Sequence, residues 1–182
     1  MLEEAALRYL DRRACSVVQM KRLLDRRIKS WERRATRAGL PQDTIGPLVT
    51  AATDGIEIVI ARLQSHRFLD DRVFAQNRAE RLTRAGKSRR AVAAHLAHKG
   101  IDASLAREVT PQDDATELGA AVALLRKKRM GAFCRTESTQ ADAKERHRWL
   151  GSLARAGFSF SIAERALRLD REAALAVLQS TD

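Results

Sequence analysis

The sequence predicts an all-α fold built from three copies of one helical unit, and three observations predict it. The first is composition: alanine, leucine and arginine dominate the 182 residues, aromatics are 4%, and only three prolines and nine glycines punctuate the chain. Alanine, leucine and arginine lose least on entering a helix. The second is the stretch Ser88 to Val109, which reads as a tight helical hairpin. Ser88 caps a helix by accepting an orphan N–H of its first turn, and Val92 and Leu96 give that helix an apolar stripe. Gly100 supplies the left-handed stop, Ile101 folds back on the last turn, and Asp102 caps a second helix carrying Leu105 and Val109. The third is recurrence. Gly157-Phe158-Ser159-Phe160-Ser161-Ile162 matches Gly100-Ile101-Asp102-Ala103-Ser104-Leu105 role for role, with Leu153 and Leu96 each four residues before the glycine. Upstream, Leu10, Ser16 and Leu24 repeat the spacing of Leu82, Ser88 and Leu96. The offsets, about 72 and 57 residues, are unequal, so the units carry insertions and do not form a regular solenoid.

Taken in order, residues 3–14 read as a first helix with Leu7 and Leu10 on one side. Ser16 to Trp31 form a second, with Val17, Met20, Leu24 and Ile28 at helical spacing. Ile28 stands where the other copies have Gly100 and Gly157, so this helix runs on through Lys29-Ser30-Trp31-Glu32-Arg33-Arg34 until Gly39-Leu40-Pro41 breaks it. Asp43 to Gly55 contains Gly46-Pro47 and reads as an irregular connection or a short helix. Ile56, Val59, Ile60 and Leu63 then define an amphipathic helix. At the joint Phe68-Leu69-Asp70-Asp71, the two hydrophobic residues bury, Asp70 caps, and Asp71 favours the positive end of the next helix. That helix runs from Asp71 to Ala85, offers Phe74, Ala75, Ala79 and Leu82 to the core, and ends at Gly86.

Beyond the central hairpin, Thr110-Pro111 closes the unit. Asp113 or Asp114 caps a helix carrying Leu118, Val122 and Leu125, which runs into Arg126-Lys127-Lys128-Arg129, the densest basic run in the chain. Ala132 to Asp142 is polar and patternless and reads as a loop. Lys144 to Ala156 forms a helix with Trp149 and Leu153 on one side. The hairpin helix from Phe160 to Leu169 precedes a short tail helix over Glu172 to Leu178 that frays. The units are therefore expected at 1–69, with an insertion at about 29–55, at 70–110, and at 111–182, with a polar loop at about 131–143.

Thirty-four Lys and Arg against 23 Asp and Glu leave a net charge of +11, with a pI near 10.7. Such a field draws polyanions: nucleic acid, an acidic protein or a membrane surface. Charges interrupt every apolar segment, so neither a membrane span nor a signal peptide is expected. Cys15 and Cys134 form no pairing framework, which suits a reducing cytoplasm.

Catalytic chemistry finds no support. The glycines are scattered helix stops and not a phosphate-cradling loop. His95 and His98 lie three apart, a spacing open to a metal, but no neighbouring Cys, Asp or Glu completes a ligand set. Nothing identifies a base for Cys15. Adjacent aspartates Asp70 and Asp71 before a helix read as a cap and a first-turn charge, not as a catalytic pair. No catalytic, cofactor-binding or metal-binding residue is assigned.

Four ordered pieces carry a resemblance. They are Ala6-Leu7-Arg8-Tyr9-Leu10-Asp11-Arg12-Arg13 followed by Ser16, Phe68-Leu69-Asp70-Asp71-Arg72-Val73-Phe74-Ala75, Gly86-Lys87-Ser88-Arg89-Arg90 leading to Lys99-Gly100-Ile101, and Ala154-Arg155-Ala156-Gly157-Phe158-Ser159. Together they resemble the RecX family of RecA regulators over nearly the whole chain. The departures are Ile28 in place of a glycine, the long segment Lys29 to Gly55, and the polar loop after Met130. The resemblance implies tandem three-helix units forming an elongated, curved body. It also implies a non-enzymatic role, and the chain is expected to be a cytoplasmic monomer without cofactors. Such a protein binds the RecA–single-stranded-DNA filament and restrains its growth, ATP hydrolysis, strand exchange and stimulated repressor cleavage, with weak direct DNA binding possible.

Basic residues recur near each hairpin. Arg12, Arg13, Arg89, Arg90, Lys99, Arg126, Lys127, Lys128, Arg129, Arg146 and Arg148 are accordingly the expected filament and nucleic-acid contacts, acting through ion pairing and counterion release. Phe68, Leu69, Phe74, Leu96 and Gly100 are assigned to folding. The rival reading is a stand-alone helix-turn-helix protein whose second helix, from Asp102, enters a major groove. That helix carries Arg107 as its one cation, with Asp102 and Glu108 opposing phosphate, which is the wrong charge distribution.

Overall fold

The computed structural model describes residues 2–134 and 143–180, and among these every regular element is helical. The helices are α1 (Leu2–Leu10), α2 (Val17–Arg37), α3 (Gln42–Ser65), α4 (Asp71–Arg84), α5 (Arg89–His98), α6 (Ala103–Val109), α7 (Asp114–Lys128), α8 (Ala143–Arg155), α9 (Phe160–Arg168) and α10 (Arg171–Gln179), with a 3-10 turn at Gly131–Phe133. By its contacts the chain gathers into two compact units. One holds the residues up to Phe74 together with Lys99–Ile101; the other holds Ala75–His98 and the residues from Asp102 onward.

In the first unit α2 and α3 run antiparallel, joined near their open end by the Lys21–Glu57 ion pair at 2.7 Å. Their facing sides bury Met20, Leu24 and Ile28 against Ile56, Ile60 and Leu63, with Ala6 of α1 and Leu69 closing the cluster. α2 starts as its sequence dictates, with a reciprocal capping box between Ser16 and Gln19. It runs past Ile28 to Arg37, as the missing glycine predicts, and the chain turns at Gly39 with φ of +79°.

Three expectations fail here. α1 stops at Leu10, because the chain must straighten for Ser16 to cap α2; Asp11, Arg12 and Arg13 form a closing turn whose N–H groups donate back to Leu7 and Tyr9. Asp43 to Gly55 is neither irregular nor short: it belongs to α3, which passes through Gly46 and Pro47 unbroken. Pro47 forfeits one helical hydrogen bond, at about 3 kcal/mol. Ile45, Val49, Ala52, Ile56, Ile60 and Leu63 continue the inward stripe across it, and each fully buried aliphatic returns about 1.5–3 kcal/mol. Packing therefore overrides the local break. Finally, Phe68 is 56% exposed, whereas Leu69 is 3% exposed. Arg67 in the left-handed region (φ 57°) turns the chain so that only the second of the two hydrophobic residues faces the core; the Phe68 ring lies 6.3 Å from that of His66.

α3 also departs from the expectation that charges interrupt every apolar run. It is long and apolar enough, by length and composition, to cross a membrane. In this fold it packs Ile45, Ile56, Ile60 and Leu63 inward.

The second unit is organised on α7, buried on most of its circumference: Leu118, Ala120, Ala121, Val122 and Leu125 are all inside. Leu153, Phe158, Ile162, Ala166 and Ala174 complete the cluster. The caps follow the sequence: Asp102, Asp113 and Ser159 each accept a first-turn N–H, and Asp170 does the same for α10. α10 docks on this cluster through Ala174, which is only 1% exposed. Of the expected loop at about 131–143, the start is the 3-10 turn, and residues 135–142 lie outside the described residues.

One junction occurs twice. In the first unit Ser16 Oγ donates to the carbonyl of Lys99 at 2.5 Å, and Asp71 Oδ1 accepts from the Val17 N–H at 2.8 Å. In the second, Ser88 Oγ donates to the carbonyl of Ala156 at 2.7 Å, and Glu117 Oε2 accepts from the Arg89 N–H at 2.9 Å. Each serine sits at a helix start and seizes the carbonyl just before a hairpin glycine, Gly100 or Gly157. Both glycines have positive φ. A Cβ on Gly100 would stand 2.5 Å from Val18 Cβ, and one on Gly157 would stand 2.7 Å from Ser88 Oγ. The close approach and the left-handed backbone both require glycine.

Candidate functional site

In the first unit, Arg12 and Arg13 are exposed in the turn that leads into Ser16. The Ser16–Lys99 bond brings Lys99 to that same end of α2, with its own side chain half-buried. Three of the expected cations, drawn from distant parts of the sequence, thus gather at one helix start.

In the second unit the expected cations divide by what holds them. Arg89 is engaged inside the unit: its guanidinium donates to the carbonyl of Gln112 at 2.6 Å and to Asp114 Oδ1 at 2.7 Å, and lies 3.6 Å from Glu117. Its side chain is 30% exposed. Arg90, one residue on, is exposed and lies against Gly157. Arg146 pairs with Glu164 at 3.1 Å, and Arg168 takes the other oxygen at 2.7 Å. The hydrogen bond from Arg146 and the two nearby charges hold the Glu164 carboxyl below its usual range.

The basic run does not form one patch. It closes α7, where cations complement the helix dipole, and then the chain turns at Arg129 in the left-handed region (φ 53°). Arg126 and Lys127 face a hollow of about 320 Å³ that also takes Arg84. Lys128, Arg129 and Arg148 face a different one of about 620 Å³, with Arg155, His147 and Trp149. Lys128 Nζ donates to Ser152 Oγ at 2.8 Å across that second hollow. Arg84 and Arg155 are not among the expected contacts, although both open a repeated Arg-Ala-Gly helix end, at Arg84-Ala85-Gly86 and Arg155-Ala156-Gly157.

Two acids also build these junctions beyond what the sequence indicates. Burial pushes the carboxyls of Asp71 and Glu117 upward, with the accepted N–H groups of Val17 and Arg89 opposing it. Asp71 is thus a bridge between helices as well as a first-turn charge. Asp70 caps α4 as expected, accepting from Arg72 and Val73. Burial, reinforced by Asp71, pushes the Cys15 thiol up to about 11, so it is protonated and a poor nucleophile near neutral pH. His95 accepts from Arg78 Nε at 2.9 Å. Among the described residues no cluster of His, Cys, Asp and Glu could hold a metal ion.

The family model described as "RecX, second three-helix domain" matches residues 70–109. The chain is 34% identical over 169 residues to the "Regulatory protein RecX" of Myxococcus xanthus, covering 91% of this chain and 83% of that one. It is 30% identical over 138 residues to the protein of the same name from Agrobacterium fabrum, covering 75% and 70%. With the crystal structure of RecX from Lactobacillus salivarius it shares a TM-score of 0.59 at 18% identity, over 92% of each chain. That last likeness concerns the fold alone, one of tandem three-helix domains.

Proposed function

This chain belongs to the RecX family, and we propose that it binds the RecA–single-stranded-DNA filament and restrains filament growth, ATP hydrolysis, strand exchange and stimulated repressor cleavage. The relatives are named regulatory proteins. In keeping with that, we read the chain as a cofactor-free, non-enzymatic cytoplasmic monomer with three units at 1–69, 70–110 and 111–182.

The observation that carries the reading, beyond family, is the repeated junction. It stations cations at two helix starts: Arg12, Arg13 and Lys99 around Ser16, and Arg90 beside Gly157 near Ser88. Arg126, Lys127, Lys128, Arg129 and Arg148 add exposed charge in the second unit. Against a filament exposing phosphates and acidic side chains, such groups act by ion pairing and counterion release. Arg89 and Arg146 contribute by holding Glu117, Asp114 and Glu164, and so by shaping the surface from which their neighbours project.

The test is RecA ATPase on single-stranded DNA with increasing amounts of this protein. Inhibition supports the reading, and its absence removes it. Repeating the titration with Arg126 to Arg129 changed to alanine asks whether the basic run takes part; undiminished inhibition would strike it from the contacts.

A further inference from the structure

The outer face of α2 carries a row of cations that the repeat does not predict. Arg22, Arg26, Lys29, Arg33 and Arg37 follow one another at steps of four, three, four and four residues, and all five are exposed. At about 100° per residue they fall within an arc of about 80°, roughly opposite Leu24, Ile28 and Ala35 on the buried face. At 1.5 Å per residue the row is about 22 Å long. Arg27 and Arg34 widen it on one flank, and Asp25 and Glu32 bound the other. Among the described residues none of the five has an ion-pair partner or a side-chain hydrogen bond, unlike Arg62, Arg89 and Arg146, which are all paired.

We propose that this row is a binding surface for the sugar–phosphate backbone of duplex DNA, independent of any recombinase. Four of the five cations are arginines, whose planar fork suits phosphate oxygens. A rigid helix holds them in line, and a regular file of like charge is the complement of a regular file of phosphates. An acidic protein segment would need to match that spacing by chance. Single strands are gripped chiefly by pairing cations with aromatic side chains on which bases stack. The row has none: Trp31, the only aromatic residue of α2, lies towards the buried side and is half-buried. Contact is thus with phosphates alone and carries no sequence preference. Lys29, Arg33 and Arg37 lie in the segment inserted into the first unit, so the insertion lengthens a row that Arg22 and Arg26 begin.

The test uses the full chain without RecA, by fluorescence anisotropy on a labelled duplex of about three helical turns and on an oligo-dT of equal length. The protein is expected to bind duplex at least as tightly as oligo-dT. Changing Arg22, Arg26, Lys29, Arg33 and Arg37 to glutamine is expected to weaken duplex binding at least tenfold and lower the slope of log affinity against log salt by about 2–4. A charge-matched control with Arg81, Lys87, Arg107, Arg165 and Arg171 changed to glutamine should lose far less. R26Q/R33Q, with a proportionate loss, serves if the fivefold variant is unfolded by circular dichroism. Absence of duplex binding, equal loss in the control, an unchanged stripe variant, or a loss confined to oligo-dT would each overturn the proposal. Because RecA is absent, none of these outcomes bears on the filament reading, which the ATPase titration tests separately.

Discussion

The hydroxyl of Ser88 donates to the carbonyl of Ala156 at 2.7 Å, joining residues 68 apart. The same hydroxyl accepts the N–H of Ala91 at 3.3 Å, so one side chain both starts α5 and fastens the third hairpin. Ser16 repeats both roles with Lys99 and Gln19. Ser88 and Ser16 are fully buried, so each hydroxyl's partners are lost without replacement by water when it is removed.

Ser88→Ala is therefore expected to cost about 1–3 kcal/mol, the sum of a lost cap and an orphaned carbonyl. Ser16→Ala should cost a similar amount. Urea denaturation followed by circular dichroism measures both; a loss below half the lower figure would show that the junction contributes little.

The hairpin glycines separate backbone strain from crowding. Gly39 and Gly100 have nearly the same φ, +79° and +81°, but a Cβ on Gly39 meets nothing within 4 Å. Gly39→Ala should cost about 1–2 kcal/mol from the left-handed backbone alone. Gly100→Ala should cost about 1–3 kcal/mol more, because its methyl collides with Val18. Equal losses would mean that Val18 yields freely.

The two cysteines should differ in reactivity. Cys15 is 3% exposed with its thiol pushed up to about 11, whereas Cys134 is half-buried. Thiol alkylation of the native protein at pH 8 is expected to modify Cys134 first and Cys15 only on unfolding, as read by mass spectrometry of the digested protein. Fast modification of native Cys15 would contradict its burial.

Glu117 makes a pH prediction whose sign is fixed by the direction of its shift. Its carboxyl titrates higher folded than unfolded, so the folded state binds the proton more tightly. Its contribution to stability therefore rises as pH falls from above the raised value to the unfolded carboxyl range near about 4.3. The side-chain amide introduced by Glu117→Gln cannot titrate. The stability of the variant relative to the parent should accordingly fall as the medium is acidified from neutral, measured by urea denaturation at each pH. A relative stability that rises on acidification would reverse the assignment.

Local chemistry made most helices legible. Ser16, Asp102, Asp113 and Ser159 cap as their side chains require, and Gly86, Gly100 and Gly157 end helices with positive φ. What sequence alone did not yield depended on distant partners. Gly46-Pro47 signals a break, yet α3 continues because Ile45 is buried on one side of it and Val49 and Ala52 pack against the cluster shared with α2 on the other. Asp71 looks like a first-turn charge until the N–H of Val17 reaches it, and Glu117, unmarked in the sequence, accepts the N–H of Arg89 in the same way. Among the candidate contacts, exposure of Arg12, Arg90 and Arg126–Arg129 followed from pattern, whereas the engagement of Arg89 by Gln112 and Asp114 is a tertiary fact. The row on α2 follows one helix face away from the hairpin turns, and its freedom from ion pairs is a tertiary fact.

The filament reading is tested most directly by binding to preassembled RecA filaments on a fluorescent single-stranded oligonucleotide across a salt series. Saturable binding is expected, weakening log-linearly and steeply between about 50 and 200 mM salt as counterions are released. Failure to bind filaments that the recombinase has fully coated, or binding indifferent to salt, would contradict it.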